Sequence, residues 1–290
     1  MTTNTGGAAP SVVITGASTG IGEACALHLD QLGWRVFAGV RKDADGEALQ
    51  RKASPRLMPV RIDVTDAASI AAAREIVARE LGDRGLDGLV NNAGVVVAGP
   101  LEFVQIDDLR RQLEINVIGQ IAVTQAFLSL VRSARGRIVN IGSVSGKMAT
   151  PFVGPYAASK FAMEALTDAL HCELRPWGIQ VSIVEPGSIA TPIWEKTQAD
   201  GDAMEAQLST DGHKLYDPAI KALRAAADEL AKKGIPPVEV AKAVTHALTA
   251  KKSKTRYLVG SDARLQATLA RVAPDRVRDS LVLRQLKLPK

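Results

Sequence analysis

Cysteine, histidine, aromatic side chains and long apolar runs are all scarce in this chain of 290 residues. Two cysteines and no Cys-x-x-Cys pair rule out a disulfide framework and a thiolate metal site as expectations. Cys25 in Glu-Ala-Cys-Ala-Leu and Cys172 in Leu-His-Cys-Glu-Leu read as small core residues in a reducing compartment. Four histidines are scattered without ligand spacing, so no metal is expected. No apolar stretch reaches transmembrane length, and Met1-Thr-Thr-Asn-Thr-Gly-Gly lacks the charged-then-apolar plan of a secretory signal. The expected location is therefore the cytoplasm. Acidic charge is also short: 36 basic against 31 acidic residues leave +5. Between Arg264 and Lys290 seven basic residues face two acidic ones, again +5, so the rest of the chain is balanced. No nucleic-acid-binding motif accompanies that tail, and no nucleic-acid partner is expected.

What remains is ordinary core material. Hydrophobic residues make up 46 % and mean hydropathy is +0.04, enough for one large α/β domain or two small ones. With three tyrosines in the chain, the sequence Tyr156-Ala-Ala-Ser-Lys160 stands out. It begins an Ala-rich segment with Phe161, Ala165, Leu166, Ala169 and Leu170 at helical spacing, and Pro155 suits a helix start. Residues four apart share a helix face, so the phenol and the ammonium point into one place. A cation about 4 Å away contributes roughly 4 kcal/mol at an effective dielectric of about 20, or about three pKa units. The expectation is a tyrosine lowered toward neutrality by Lys160 and ready for proton transfer.

Around this pair the chain alternates strands and helices. Ser11–Thr15 is a β-branched strand that runs into Thr15-Gly-Ala-Ser-Thr-Gly-Ile-Gly22 and then a helix, Glu23–Leu32, stopped by Gly33. A glycine turn between strand and helix lets backbone amides approach a pyrophosphate. Further strands are expected at 34–40, 57–62, 86–94, 136–143, 179–184 and 255–260, with helices at 66–81, 106–132 and 239–251. The region 192–234 reads as strand-free, with helical pieces around Ala203 and from Ala219 to Lys233.

The spacing Gly16-x-x-x-Gly20-x-Gly22, together with Tyr156 and Lys160, resembles the short-chain dehydrogenase/reductase family, whose fingerprint T-G-x-x-x-G-I-G is complete at Thr15–Gly22. The resemblance covers about residues 10–260 and is closest in feel to the retinol-, hydroxysteroid- and hydroxybutyrate-dehydrogenase branch. It implies a doubly wound Rossmann-type α/β fold with a parallel seven-stranded sheet: a leader 1–10, a catalytic domain 11–262 with a substrate lid at 192–235, and a basic tail 263–290. It implies hydride transfer between a nicotinamide dinucleotide and an alcohol/carbonyl substrate, through the tetrad Asn116, Ser143, Tyr156 and Lys160. Asn116 would place a relay water, and without the family it reads as a polar core or interface residue. The implied dinucleotide contacts are Gly16, Ser18, Thr19, Gly20, Ile21 and Gly22 of the loop; Asp63 and Val64 at the adenine; Asn92, Ala93 and Gly94 beneath the ribose; and Pro186, Gly187, Ile189 and Thr191 at the nicotinamide, besides Tyr156 and Lys160.

The residue after strand two decides the cofactor. An acid there suits the 2′-hydroxyl of NAD and an arginine the 2′-phosphate of NADP. Val40 ends the strand and Arg41 and Lys42 follow, which favours NADP, while Asp43 and Asp45 keep NAD open. Asp63 or Thr65 equally reads as a loop or N-cap residue, and Asn91 as a structural sheet residue. Apolar residues on several faces of the 106–132 and 156–175 helices point to a homodimer or homotetramer. The tail, broken by Pro274, is expected to dock on the lid or a neighbouring subunit rather than on a membrane surface. Three other classes compete. A serine hydrolase fails because Ile141-Gly-Ser-Val-Ser-Gly146 is not G-x-S-x-G. A sugar-nucleotide epimerase shares Tyr-x-x-x-Lys but resembles a different glycine spacing. The third is a cofactor-binding regulator without turnover, against which the complete tetrad stands; a small hydroxy acid as substrate with NAD stays an alternative.

Overall fold

The computed structural model describes residues 9–206 and 208–285; the leader up to residue 8, and Lys287 and Lys290 of the tail, lie outside them. The β-branched runs form seven parallel strands: β1 (Ser11–Ile14), β2 (Arg35–Val40), β3 (Leu57–Arg61), β4 (Gly88–Asn91), β5 (Arg137–Ile141), β6 (Gln180–Pro186) and β7 (Arg256–Val259). The helices are α1 (Gly20–Gln31), α2 (Asp43–Gln50), α3 (Ala67–Leu81), α4 (Ile106–Leu113), α5 (Gly119–Ala134), α6 (Gly154–Leu174), α7 (Ile193–Glu205), α8 (Thr210–Lys233), α9 (Val238–Thr249), α10 (Ser261–Val272) and α11 (Asp275–Gln285).

Alternate side chains of one strand supply two different cores. Val12 and Ile14 pack with Cys25 and Leu29 of α1 and Val240 and Val244 of α9. Val13, between them, faces the other way, toward Val77 of α3 and Phe127 of α5. A parallel sheet covered on both faces needs such continuous apolar strands. The strand order is β3-β2-β1-β4-β5-β6-β7. It reverses between β1 and β4, and a crevice opens there at the carboxyl ends of the strands.

Four local expectations change. Asp43–Gln50 is a helix the sequence did not suggest, because Gly46 interrupts it; a Cβ at Gly46 would lie 2.8 Å from Pro59 Cβ, so packing on β3 requires the glycine. The cap of α3 is Asp66, which accepts from Ala68 N at 2.9 Å, while Asp63 closes a turn on Thr65 instead. The second helix of the 192–234 region begins at Thr210 rather than Ala219: Ser209 caps it by accepting from Gly212 N, and Pro218, which removes one helix hydrogen bond, lies inside it. Cys25 is buried, and burial pushes its thiol up to about 12, but Cys172 is exposed on α6 and is no core residue.

Candidate active site

The glycine loop joins β1 to α1. Gly16 and Gly20 have φ of 64° and 62°, where side chains are strained, and a Cβ at Gly16 would lie 2.8 Å from Ala93 Cα. Gly22 is buried behind the loop, and any Cβ there would run into the Gly16 carbonyl and Asn92 Nδ2. Thr15 and Asn92 lock this arrangement. Asn92 N and Ala93 N donate to Thr15 Oγ1 at 2.9 and 3.0 Å, and Asn92 Nδ2 donates to the carbonyls of Thr15 and Gly16.

A second device holds the chain after β4. Gln112, Asn116, Gln120 and Thr124, spaced by four, are all buried, and each binds the segment 91–97. Gln112 Nε2 donates to Val95 O at 2.8 Å and its Oε1 accepts from Val97 N. Asn116 accepts from Val95 N at 2.9 Å and donates to Val95 O at 3.0 Å. Gln120 donates to Ala93 O, and Asn91 donates to Thr124 Oγ1 at 2.8 Å and to Asn140 Oδ1 at 2.9 Å. In a regular α-helix a spacing of four drifts by about 40° per step. The wide π turn Glu114–Ile118 between α4 and α5 takes up part of that drift and keeps the polar stripe on one line. This explains an asparagine in mid-helix. The other three stripe residues escaped sequence reasoning, although their spacing was there to read.

Ser143 lies just beyond β5, as expected, and caps a short turn by accepting from Ser145 N. It lies close enough to the phenol of Tyr156 to favour its ionised form. Lys160 Nζ donates to Ile141 O at 2.8 Å and lies 5.6 Å from the centre of the Tyr156 ring. Asn116 reaches this group by donating to Ser159 Oγ at 3.2 Å. One expectation is corrected. Burial holds the Tyr156 phenol above its ordinary value, opposed by the neighbouring Ser143, and Lys160 does not bring it down. The ammonium is itself buried, which lowers it to about 8, and it is aimed at a carbonyl rather than at the phenol oxygen.

These groups line one cavity of about 500 Å³, together with every expected dinucleotide contact except Gly22. Arg41 is on its wall. Burial raises the Asp63 carboxyl, but the hydrogen bonds from Thr65 and, to a lesser extent, the Arg41 charge bring it below its ordinary value. Asp43 faces a separate shallow pocket with Glu47 and Arg61, and neither Asp43 nor Asp45 lines the cavity. The lining from α7, α8 and α11 is largely apolar, with Trp194, Met204, Ile220, Leu223 and Val282 beside Phe152, but also includes Thr197, Gln198 and Arg224. His213 and Asp217, one turn apart on α8, do meet Glu205 within 4.8 Å, but this group is a partly exposed ion pair outside the cavity.

Comparison with known proteins agrees with this geometry. The family described as short chain dehydrogenase matches residues 10–202. An NADPH-dependent 3-dehydrocapnine reductase of Ornithobacterium rhinotracheale is 36 % identical over 280 residues, covering 95 % of this chain and 96 % of that protein. Retinol dehydrogenase 5 of Mus musculus is 38 % identical, covering 93 % and 87 %. Among solved structures, a short-chain dehydrogenase from Burkholderia cenocepacia in complex with NADP superposes with a TM-score of 0.72 at 25 % identity, covering 97 % and 98 %. With its parallel sheet, its glycine loop and the matched span, the chain belongs to the short-chain dehydrogenase family.

Proposed function

We propose that the chain is an NADP(H)-dependent oxidoreductase that interconverts an alcohol and a carbonyl on a largely apolar substrate. The observation that carries this reading is the convergence of Ser143, Tyr156 and Lys160 in one cavity with Arg41 on its wall. The loop fits a dinucleotide: Gly16 and Gly20 leave the backbone bare of Cβ atoms at the start of α1, where helix amides attract a pyrophosphate. Arg41, rather than Asp43 or Asp45, is in place for a 2′-phosphate. The NADPH dependence of the 3-dehydrocapnine reductase and the NADP in the Burkholderia structure support the same choice.

When bound, the dinucleotide supplies or accepts the hydride. Tyr156 holds the proton that the carbonyl oxygen gains or the alcohol loses. Ser143 donates to that oxygen as charge develops on it. Lys160 would hold the nicotinamide ribose, and its positive charge, 5.6 Å from the centre of the Tyr156 ring, would favour proton release. The side chain of Asn116 is satisfied by Val95 and Ser159, so its contribution is to tie the widened turn to the 95 segment and to the helix that bears Tyr156. In this reading α7 and α8 are the lid of the catalytic domain 11–262, and the presence of Val282 among the cavity-lining residues supports docking of the tail there. The apolar lining and the retinol-handling relative support a hydrophobic substrate. Exposed Ile118 and Phe161 support a homodimer or homotetramer. The test is binding of NADPH against NADH, followed by turnover of a panel of apolar carbonyls read by nicotinamide absorbance. Binding of neither cofactor overturns the reading, and binding without turnover on any carbonyl leaves a regulator.

A further inference from the structure

Helix α6 carries a third member of the stripe that presents Tyr156 and Lys160. Glu164 lies one turn past Lys160, on the same face. It meets Glu185, the residue before Pro186-Gly187, and two cations. Lys147 Nζ is 2.6 Å from Glu164 Oε2 and 3.3 Å from Glu185 Oε1. Arg256 Nε is 3.1 and 3.5 Å from the same two oxygens, and its Nη2 pairs with Asp168 at 2.6 Å. Glu185 is 1 % exposed and Glu164 7 %.

Two features of this cluster call for a proton. Three carboxylates, Glu164, Glu185 and Asp168, face two cations, Lys147 and Arg256, and one proton balances them. Glu164 Oε1 is a buried acceptor without a hydrogen-bond donor, Glu185 Oε1 is met only at long range by Lys147 and Arg256, at 3.3 and 3.5 Å, in no well-formed hydrogen bond, and the two carboxyls interact directly with each other. A proton between them supplies the missing donor and removes a buried like-charge contact. The cluster also ties together the three segments that form the site. Lys147 belongs to the turn after Ser143, where Gly146 N donates to Ser143 O at 2.9 Å and Gly146 packs on the Lys160 carbonyl. Glu164 belongs to the tyrosine helix, and Glu185 to the strand end that leads into Pro186-Gly187.

We propose that Glu164 and Glu185 share one proton, and that this carboxyl pair is a positioning element that sets the Ser143 turn and the Pro186-Gly187 turn against the Tyr156 helix. The positioning role rests on the functional reading of Ser143 and Tyr156 above. Burial and the neighbouring Glu164 push Glu185 up to about 7, against the pull of Lys147. The folded chain therefore keeps a proton between about pH 4.5 and 7 that the unfolded chain has lost, and stability falls as pH rises across that window.

Unfolding of the wild type and Glu185→Gln, measured across about pH 5 to 8 without cofactor, tests the shared proton. The amide is a permanent donor. The wild-type unfolding constant should rise up to about tenfold per pH unit more steeply than that of the variant below pH 7; equal slopes overturn the shared proton. For the positioning role, Glu185→Leu should lower kcat about tenfold or more while the NADPH Kd stays within about threefold, and Glu185→Gln should recover most of that kcat. Equal kcat in the two variants overturns it. A chain that binds no dinucleotide defeats the functional reading, yet the pH slopes still decide the proton.

Discussion

Lys160 donates to the carbonyl of Ile141 at 2.8 Å, tying the helix that bears Tyr156 to the last residue of the strand that leads into Ser143. A single buried charge thus fixes the distance between the two elements of the site, and its burial brings its own pKa down to about 8. That charge is a liability for folding and a resource for chemistry.

Replacing it should expose the trade. The folded value of Lys160 lies below the ordinary 10.5, so the buried charge costs stability below pH 8, and the cost fades as pH rises toward 10.5. Lys160→Met should be more stable than the wild type at pH 7 by about 1–3 kcal/mol, the lost Ile141 hydrogen bond taking back part of the gain. The difference should close at high pH. Urea unfolding at several pH values measures it, and a destabilised Met variant at pH 7 would contradict the account.

Tyr156→Phe keeps the ring and its packing but removes the proton. General acid–base catalysis contributes about 10²- to 10⁴-fold, so kcat should fall by at least about a hundredfold. The NADPH Kd should change less than about threefold. Steady-state rates beside fluorescence titration separate the two, and a near-normal rate defeats the assignment.

Arg41 should discriminate between cofactors. A charge-assisted contact is worth about 1.5–3 kcal/mol, so Arg41→Ser should weaken NADPH by roughly ten- to a hundredfold and leave NADH nearly unchanged. Equal losses for both would place the 2′-phosphate elsewhere.

Gln112→Leu is a test of the polar stripe. It strands Val97 N, which Gln112 now satisfies, while Val95 O keeps its bond from Asn116, and a buried orphan costs about 1–3 kcal/mol. Unfolding free energy should drop by about 1–3 kcal/mol, with NADPH affinity falling as the 93–97 segment loosens. A neutral substitution would show that Asn116 alone holds the segment.

Much of the site was legible because its signals are local. Thr15–Gly22 sits between a strand and a helix, Tyr156 and Lys160 are one helical turn apart, and Ser143 ends a strand. The strand count and the parallel order followed from the alternation of elements. What stayed hidden depends on partners distant in sequence. The upward shift of Tyr156 is set by burial, which depends on segments far from it in sequence. The helix at Asp43–Gln50 survives its glycine through contact with Pro59. Glu164 and Glu185 are ordinary acids until Lys147 and Arg256 close on them.

The sequence by itself determined the fold class, the cofactor loop and the tyrosine–lysine pair, since backbone freedom and helical spacing are written in neighbouring residues. Tertiary structure alone decided which of Arg41, Asp43 and Asp45 faces the cavity, what Asn116 holds, and where the buried protons reside. Burial and the distance between charges set those outcomes, and both arise only when β4, β5 and β6 are laid side by side.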